Sequence, residues 1–218
     1  MIDVKALLEE MKASPYTMVE VATPHTGVLS LSLAPGAQVR GPLGSWKEKK
    51  GTTLATIERE RNVKPIHAPT NGVVESVASD LDTAFVQAAT PFCTIRHYLT
   101  KAEVLAAILK KALFLFPAPE RAKYYFVPEV DKKVRAAGAR AVKVRDGMEL
   151  FIVSRMKRES PLAYSGPAGI IYAVYFGLAD NVDAGDPLIG VCPADQLAVI
   201  QDVVNRVQAE WEEPEGNG

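Results

Sequence analysis

The feature that most constrains the fold is a short motif that occurs twice. Thr23-Pro24-His25-Thr26-Gly27-Val28-Leu29 is echoed by Ala68-Pro69-Thr70-Asn71-Gly72-Val73-Val74, each a P-x-x-G followed by an extended run. Proline stiffens the approach to such a run, and glycine permits the tight bend where a strand turns over a barrel. Two units of this kind, related by a pseudo-twofold axis, would pair into one closed sandwich.

The surrounding texture agrees. From Thr17 to Arg96 the chain reads as short β-branched runs broken by Pro and Gly: Met18–Ala22, Gly27–Leu33, Thr52–Glu58, Gly72–Val77 and Phe92–Arg96. Runs of this length and spacing predict a small all-β unit. In front of it, Val4, Leu7, Leu8 and Met11 fall on one face of a helix over residues 3–13, with Asp3 as N-cap. Behind it, Thr100 and Glu103 form a capping box, and Val104, Leu105, Ile108 and Leu109 supply a buried face. Phe116-Pro117-Ala118-Pro119 reads as the end of that helix and as a domain boundary, because proline cannot continue a helical ladder. Beyond it come Lys123–Val127, a helix over Glu129–Ala137, and extended runs at Ala141–Val144, Met148–Ser154 and Gly169–Phe176. A final helix runs from about Ala194 to Trp211, with Leu197, Ile200, Val203, Val204, Val207 and Trp211 on one face. The expected organisation is therefore an N-terminal helix (1–15), a β domain (16–98), a helical linker (99–119), a second β-rich domain (120–192) and a C-terminal helix with its tail (193–218).

Composition narrows the function. With 48% apolar and 23% charged residues, the 218-residue chain is that of an ordinary globular protein large enough for two compact units. A net charge of −1 leaves no basic excess to neutralise phosphates, so nucleic acid is not an expected partner. Cys93 and Cys192 lack C-x-x-C spacing, and His25, His67 and His97 are equally scattered, so no metal site is expected; the cysteines read as reduced core or strand-end residues. Acidic residues early in the N-terminus argue against a signal or transit peptide, and Val104–Phe116 is too short and too charged to cross a bilayer. A cytoplasmic location without membrane insertion is the expectation.

The stretch Ile57-Glu58-Arg59-Glu60-Arg61-Asn62-Val63-Lys64-Pro65-Ile66-His67-Ala68-Pro69-Thr70-Asn71-Gly72-Val73-Val74 resembles the biotinyl domain signature I-E-A-M-K-M-x-x-P-I-x-A-P-x-x-G-x-V. Phe85-Val86-Gln87-Ala88-Ala89-Thr90-Pro91-Phe92-Cys93-Thr94-Ile95 resembles the family's closing V-x-x-G-x-x-L-x-x-I strand. The resemblance to the biotinyl/lipoyl-attachment family, of which the biotin carboxyl carrier protein is a member, implies a barrel-sandwich hybrid. The fold class expected is mainly β with flanking helices. The family's modified lysine falls here on Arg61, with Glu60 in place of the first Met. A guanidinium stays protonated and cannot be the nucleophilic amine a ligase acylates, so Arg61 marks a degenerate attachment position.

The second β-rich unit offers a lysine. Ser154-Arg155-Met156-Lys157-Arg158-Glu159-Ser160-Pro161-Leu162 resembles the same M-K-x-x-x-P-[IL] core, and Gly177–Val191 resembles the G-x-x-V-x-x-G-D-x-L-x-x-I closing segment of carrier domains. Against this, Ala163–Ala168 is one residue longer than the family's spacing, and no opening P-x-x-G is found at Val127–Asp131. Two readings stand: a carrier-like unit with Lys157, beside Met156, as the biotinyl or lipoyl attachment site, or a plain hairpin around Asp146-Gly147 with Lys157 on its surface.

No nucleophile with its base, clustered acids or phosphate loop is found, so no catalytic residues are assigned. The resemblance implies a noncatalytic accessory or assembly subunit of a biotin-dependent carboxylase or decarboxylase, with the enzyme's other subunits as partners. Two alternatives are a true biotin carrier loaded at Lys157 by a biotin ligase, and a cofactor-free interaction scaffold. The three amphipathic helices are available to cover the β units or to join protomers into a homo-oligomer.

Overall fold

A computed structural model describes residues 4–44, 47–156, 158–177 and 180–212. Among these residues the chain is mainly β, with four antiparallel four-stranded sheets and four α-helices. It divides into two compact units, one of residues 10–101 with 211–218, the other of residues 1–9 with 102–210.

The first unit contains β1 (Tyr16–Ala22), β2 (Gly27–Leu31), β3 (Gln38–Val39), β4 (Thr53–Arg59), β5 (Asn62–His67), β6 (Gly72–Val77), β7 (Phe85–Val86) and β8 (Pro91–Tyr98). They form two sheets, ordered β1-β8-β6-β3 and β5-β4-β2-β7. Alternation sends Leu29, Ile57, Ile66, Val74, Val86 and Ile95 inward, and with Leu54 and Phe92 they make the core between the sheets. Both glycines of the repeated motif open strands that press on a neighbouring carbonyl. A Cβ on Gly27 would lie 2.5 Å from the Glu58 oxygen, and one on Gly72 2.3 Å from that of Arg96.

The second unit follows with β9 (Phe114–Pro117), β10 (Ala122–Phe126), β11 (Lys143–Val144), β12 (Glu149–Arg155), β13 (Arg158–Ala163), β14 (Gly169–Val174), β15 (Asn181–Val182) and β16 (Pro187–Cys192). Its sheets, β9-β16-β14-β11 and β13-β12-β10-β15, repeat the order of the first unit strand for strand. The irregularities repeat too. β4–β5 slips between Thr53 and Ala55 and β12–β13 between Glu149 and Phe151; β6–β8 slips between Val74 and Ser76 and β14–β16 between Ile171 and Ala173. The core is more aromatic, with Phe151 stacked on Phe116 at 5.9 Å and on Phe126 at 5.2 Å.

Four helices flank the sheets: α1 (Val4–Ala13), α2 (Lys101–Ala112), α3 (Pro128–Ala137) and α4 (Leu197–Glu210). Leu105 and Leu109 of α2 and Ile200 and Val204 of α4 pack with Tyr172 and Cys192, so β14 and β16 are apolar on both faces. Within the same unit Arg206 joins Glu210 and Glu9, and Lys5 joins Asp202. The apolar face of α4 is thereby used inside the chain, Val203 and Val207 being fully buried. Cys93 and Cys192 are free and buried, with burial raising the Cys93 thiol to about 11.

Three expectations are corrected. Phe116-Pro117 is not a break between domains: Phe114–Pro117 is β9, paired with β16, so α2 and β9 both lie within what was read as a linker. The proline ends an edge strand, where no ladder donor is missed. Asp146-Gly147 does not turn a plain hairpin, because β11 pairs with β14 while β12 pairs with β10 and β13; the turn instead carries the chain from one sheet to the other. The opening motif of the second unit lies not at Val127–Asp131, which starts α3, but at Pro119-Glu120-Arg121-Ala122, where Ala122 stands as Gly27 does.

The matching strand order lets corresponding positions of the two units be compared. In the first unit Thr23 is bonded through N, O and Oγ1 to the turn between β7 and β8, which places Ala89 at φ 63°. Ala118 makes the matching backbone bonds to Gly185 and Asp186, and Gly185 sits at φ 90° with nothing within 4 Å of a Cβ. A left-handed non-glycine residue costs about 1–2 kcal/mol, partly offset by the greater freedom of an unfolded glycine. Ala89→Gly is therefore expected to stabilise the first unit by about 1 kcal/mol, and Gly185→Ala to destabilise the second by a similar amount, read from urea denaturation.

Tyr164 is fully buried and its hydroxyl donates to the Pro167 carbonyl at 2.8 Å. Burial, and then the Asp146 carboxylate, raise its pKa from 10 to about 12. The folded value lies above the unfolded one, so this contribution is complete below the unfolded pKa and is lost as pH rises through the folded one. Tyr164→Phe is expected to cost about 1 kcal/mol at neutral pH. It should also shrink the loss of stability between pH 10 and about 12, measured by denaturation at a series of alkaline pH values.

Candidate functional site

Each unit presents a tight hairpin between its fourth and fifth strands. In the first, Arg59 pairs with Asn62, so Glu60 and Arg61 alone make the turn, at φ 52° and 62°. Positive φ at both central positions is the type I′ geometry that follows the twist of the flanking strands. Both residues are exposed, and Arg59 Nε lies 3.6 Å from Glu60 Oε1. Arg61 thus stands at a solvent-facing tip. Shallow grooves flank it, one of about 560 Å³ bordered by Val28, Glu58, Arg59, Glu60 and Phe85, another of about 380 Å³ bordered by His25, Asn62 and Lys64.

In the second unit the register is the same. Arg155 pairs with Arg158, Ser154 with Glu159 and Ile152 with Pro161, matching Arg59–Asn62, Glu58–Val63 and Thr56–Pro65. Two residues of sequence, Met156 and Lys157, fall between the paired arginines. Met156 is 87% exposed at φ 48°. Lys157 lies outside the described residues. A groove of about 690 Å³ beside the strand ends is bordered by Glu120, Arg155, Met156, Arg158 and Glu159, with Arg155 paired to Glu120 at 2.5 Å. The structure keeps Arg61 and Met156 in separate units, each at its own hairpin.

These tips are positions for presenting a side chain. The hairpin backbone is fixed by its ladder, and whatever is held at the tip is reached from several directions. Among the described residues no group of three or more His, Cys, Asp or Glu is placed to hold a metal ion. No described helix is long and apolar enough to cross a membrane. The prolines that the M-K-x-x-x-P-[IL] pattern aligns are equivalent in register: Pro65 and Pro161 each sit on the exposed edge strand, opposite Thr56 and Ile152.

No family model matches the sequence, and no curated protein matches it. Among solved structures, a single-chain, multi-domain long-chain acyl-CoA carboxylase aligns with 50% of this chain at 16% identity and a TM-score of 0.31. The chain covers 10% of that carboxylase's length. A likeness of this size bears on neither fold nor function.

Glu60 and Arg61 hold left-handed backbone at a cost their side chains do not offset, since an exposed ion pair contributes little. Replacing Glu60-Arg61 by Asn-Gly is expected to stabilise the first unit by about 1–2 kcal/mol. Thermal and urea denaturation measure this; unchanged stability would mean the turn is not of this type in solution.

Proposed function

We propose that both units are barrel-sandwich hybrids of the biotinyl/lipoyl type, and that the chain is a noncatalytic biotin-carrier-like protein. It serves as an accessory or assembly subunit of a biotin-dependent carboxylase or decarboxylase in the cytoplasm. The observation that carries this reading is the two-residue hairpin of each unit, set between the fourth and fifth strands of an eight-stranded pair of sheets with identical order. It stands together with the signature-like residues around Arg61 and the absence from the sequence of an assembled catalytic group. With arginine at its tip the first unit is a scaffold: it keeps the fold and lacks an acylatable amine.

The second reading, a true carrier loaded at Lys157, is favoured by the shared register, which gives Lys157 in sequence the slot that Arg61 has in the first hairpin. On that reading a ligase acylates the lysine amine with biotin from its adenylate, releasing AMP. The protein then supplies a rigid post, and the cofactor and partner enzymes supply the chemistry. Met156, exposed beside the lysine, is a contact for the ligase.

Intact mass after co-expression with a biotin ligase separates the two. The accessory reading expects a bare mass, and recovery of carboxylase subunits with the chain in pull-down. A biotin-sized increment that maps to Lys157 and disappears in Lys157→Arg decides for the carrier. A bare mass with no carboxylase subunit recovered overturns both and leaves a cofactor-free interaction scaffold.

A further inference from the structure

Val63, Glu58, Val28 and Phe85 lie side by side in one cross-strand row over all four strands of the β5-β4-β2-β7 sheet. Paired residues share a face, and their neighbours Leu29, Ile57 and Val86 are buried, so this row faces outward. Val63 is 55%, Val28 38% and Phe85 67% exposed. Scattered exposed apolar residues need no explanation, but a contiguous row does.

The second unit shows what the same row looks like when it faces water. The register-equivalent residues are Glu159, Ser154, Lys123 and Asn181, every one of them polar. Two sheets with the same strand order and the same bulges thus differ on this outer face by replacement of three polar residues with Val, Val and Phe. The fold does not require apolar residues there, so the row serves something else.

The charges at the row point to what covers it. Glu58 sits between Val63 and Val28, and Arg61 is at the tip of the same hairpin; among the described residues neither takes part in an ion pair. An apolar strip carrying one uncommitted carboxylate, with an uncommitted guanidinium close by, is complementary to itself under a twofold rotation. We infer that this face docks on the same face of a second copy of the chain, with Glu58 of each copy meeting Arg61 of the other. Such an isologous contact closes at two subunits. A face four strands wide and about five residues long spans about 300–400 Å² in plan. That is below the about 800 Å² per partner of a standard interface, so a weak, concentration-dependent contact is expected. The inference does not depend on a carrier role for either unit.

Sedimentation velocity of the full chain from about 1 to about 300 μM tests it. The wild-type chain is expected to pass from monomer to dimer over this range. Val28→Lys, Val63→Glu and Phe85→Asn together install the second unit's residues in the first, at register positions where the second unit already folds with them. This variant is expected to stay monomeric, with an unchanged circular dichroism spectrum. Glu58→Arg and Arg61→Glu are each expected to weaken dimerisation by about tenfold or more, and the double exchange to restore it. A wild-type monomer throughout would overturn the inference. Dimers that survive the triple variant would overturn it in favour of another face, and a double exchange that fails to restore dimers would overturn the Glu58–Arg61 pairing.

Discussion

Close backbone approach is the constraint on which each unit depends. Where β2 meets β4 and β6 meets β8, Gly27 and Gly72 lie so near the Glu58 and Arg96 carbonyls that no Cβ fits without a shift. In the second unit Gly169 presses on the Cys192 carbonyl in the same way, a Cβ there falling 2.3 Å from it. Glycine at the start of a strand sacrifices unfolded-state entropy for this proximity. What it gains is a short crossing that brings two small sheets together over one core, and Leu29, Ile57, Val74 and Ile95 are buried as a consequence. The second unit shows how far the constraint relaxes: Ala122 occupies the place of Gly27, so the β10–β12 approach admits a methyl group where β2–β4 does not.

This explains which parts of the fold were legible in the sequence. Glycine-led runs at Gly27, Gly72 and Gly169 announced their strands, because a residue needed for geometry cannot be exchanged without cost. Strands without that requirement were harder to see. β5 and β13 were overlooked because each contains a proline, Pro65 and Pro161, and carries polar exposed residues. Both are edge strands, where an absent N–H is tolerated and even protective. The opening of the second unit was missed at Pro119–Ala122 because the glycine that would have flagged it is an alanine. β9 was taken for a helix stop because proline at the end of an edge strand and proline after a helix look alike in sequence.

The candidate site was legible to a different degree. The position of Arg61 came from counting along the biotinyl-type signature that the segment resembles, and a two-residue turn between paired strands leaves no slack in that count. The equivalence of Met156 to Glu60 was readable from the M-K-x-x-x-P-[IL] pattern, and the register of the two hairpins agrees with it; the loop between β13 and β14, one residue longer than that between β5 and β6, disturbs the alignment only downstream. The exposed row of Val63, Val28 and Phe85 could not be found from one strand at a time. Its members come from three strands and become neighbours only through cross-strand pairing.

The two hairpins and the two outer faces show how the same frame accommodates different tasks. Core positions are coupled through packing: Phe151 touches Phe116, Phe126 and Phe176, and exchanging one ring disturbs the others. Tip residues and outer-face residues are coupled to almost nothing. Glu60-Arg61 stands where the other unit has Met156 followed by Lys157, and Val63, Val28 and Phe85 where it has Glu159, Lys123 and Asn181, without any change in strand order. Function on such a frame is therefore decided by a few exposed positions that the fold leaves free. The differences between the two halves of this chain concentrate there, and the left-handed backbone at Glu60, Arg61 and Met156 is the cost of holding those residues out in solvent.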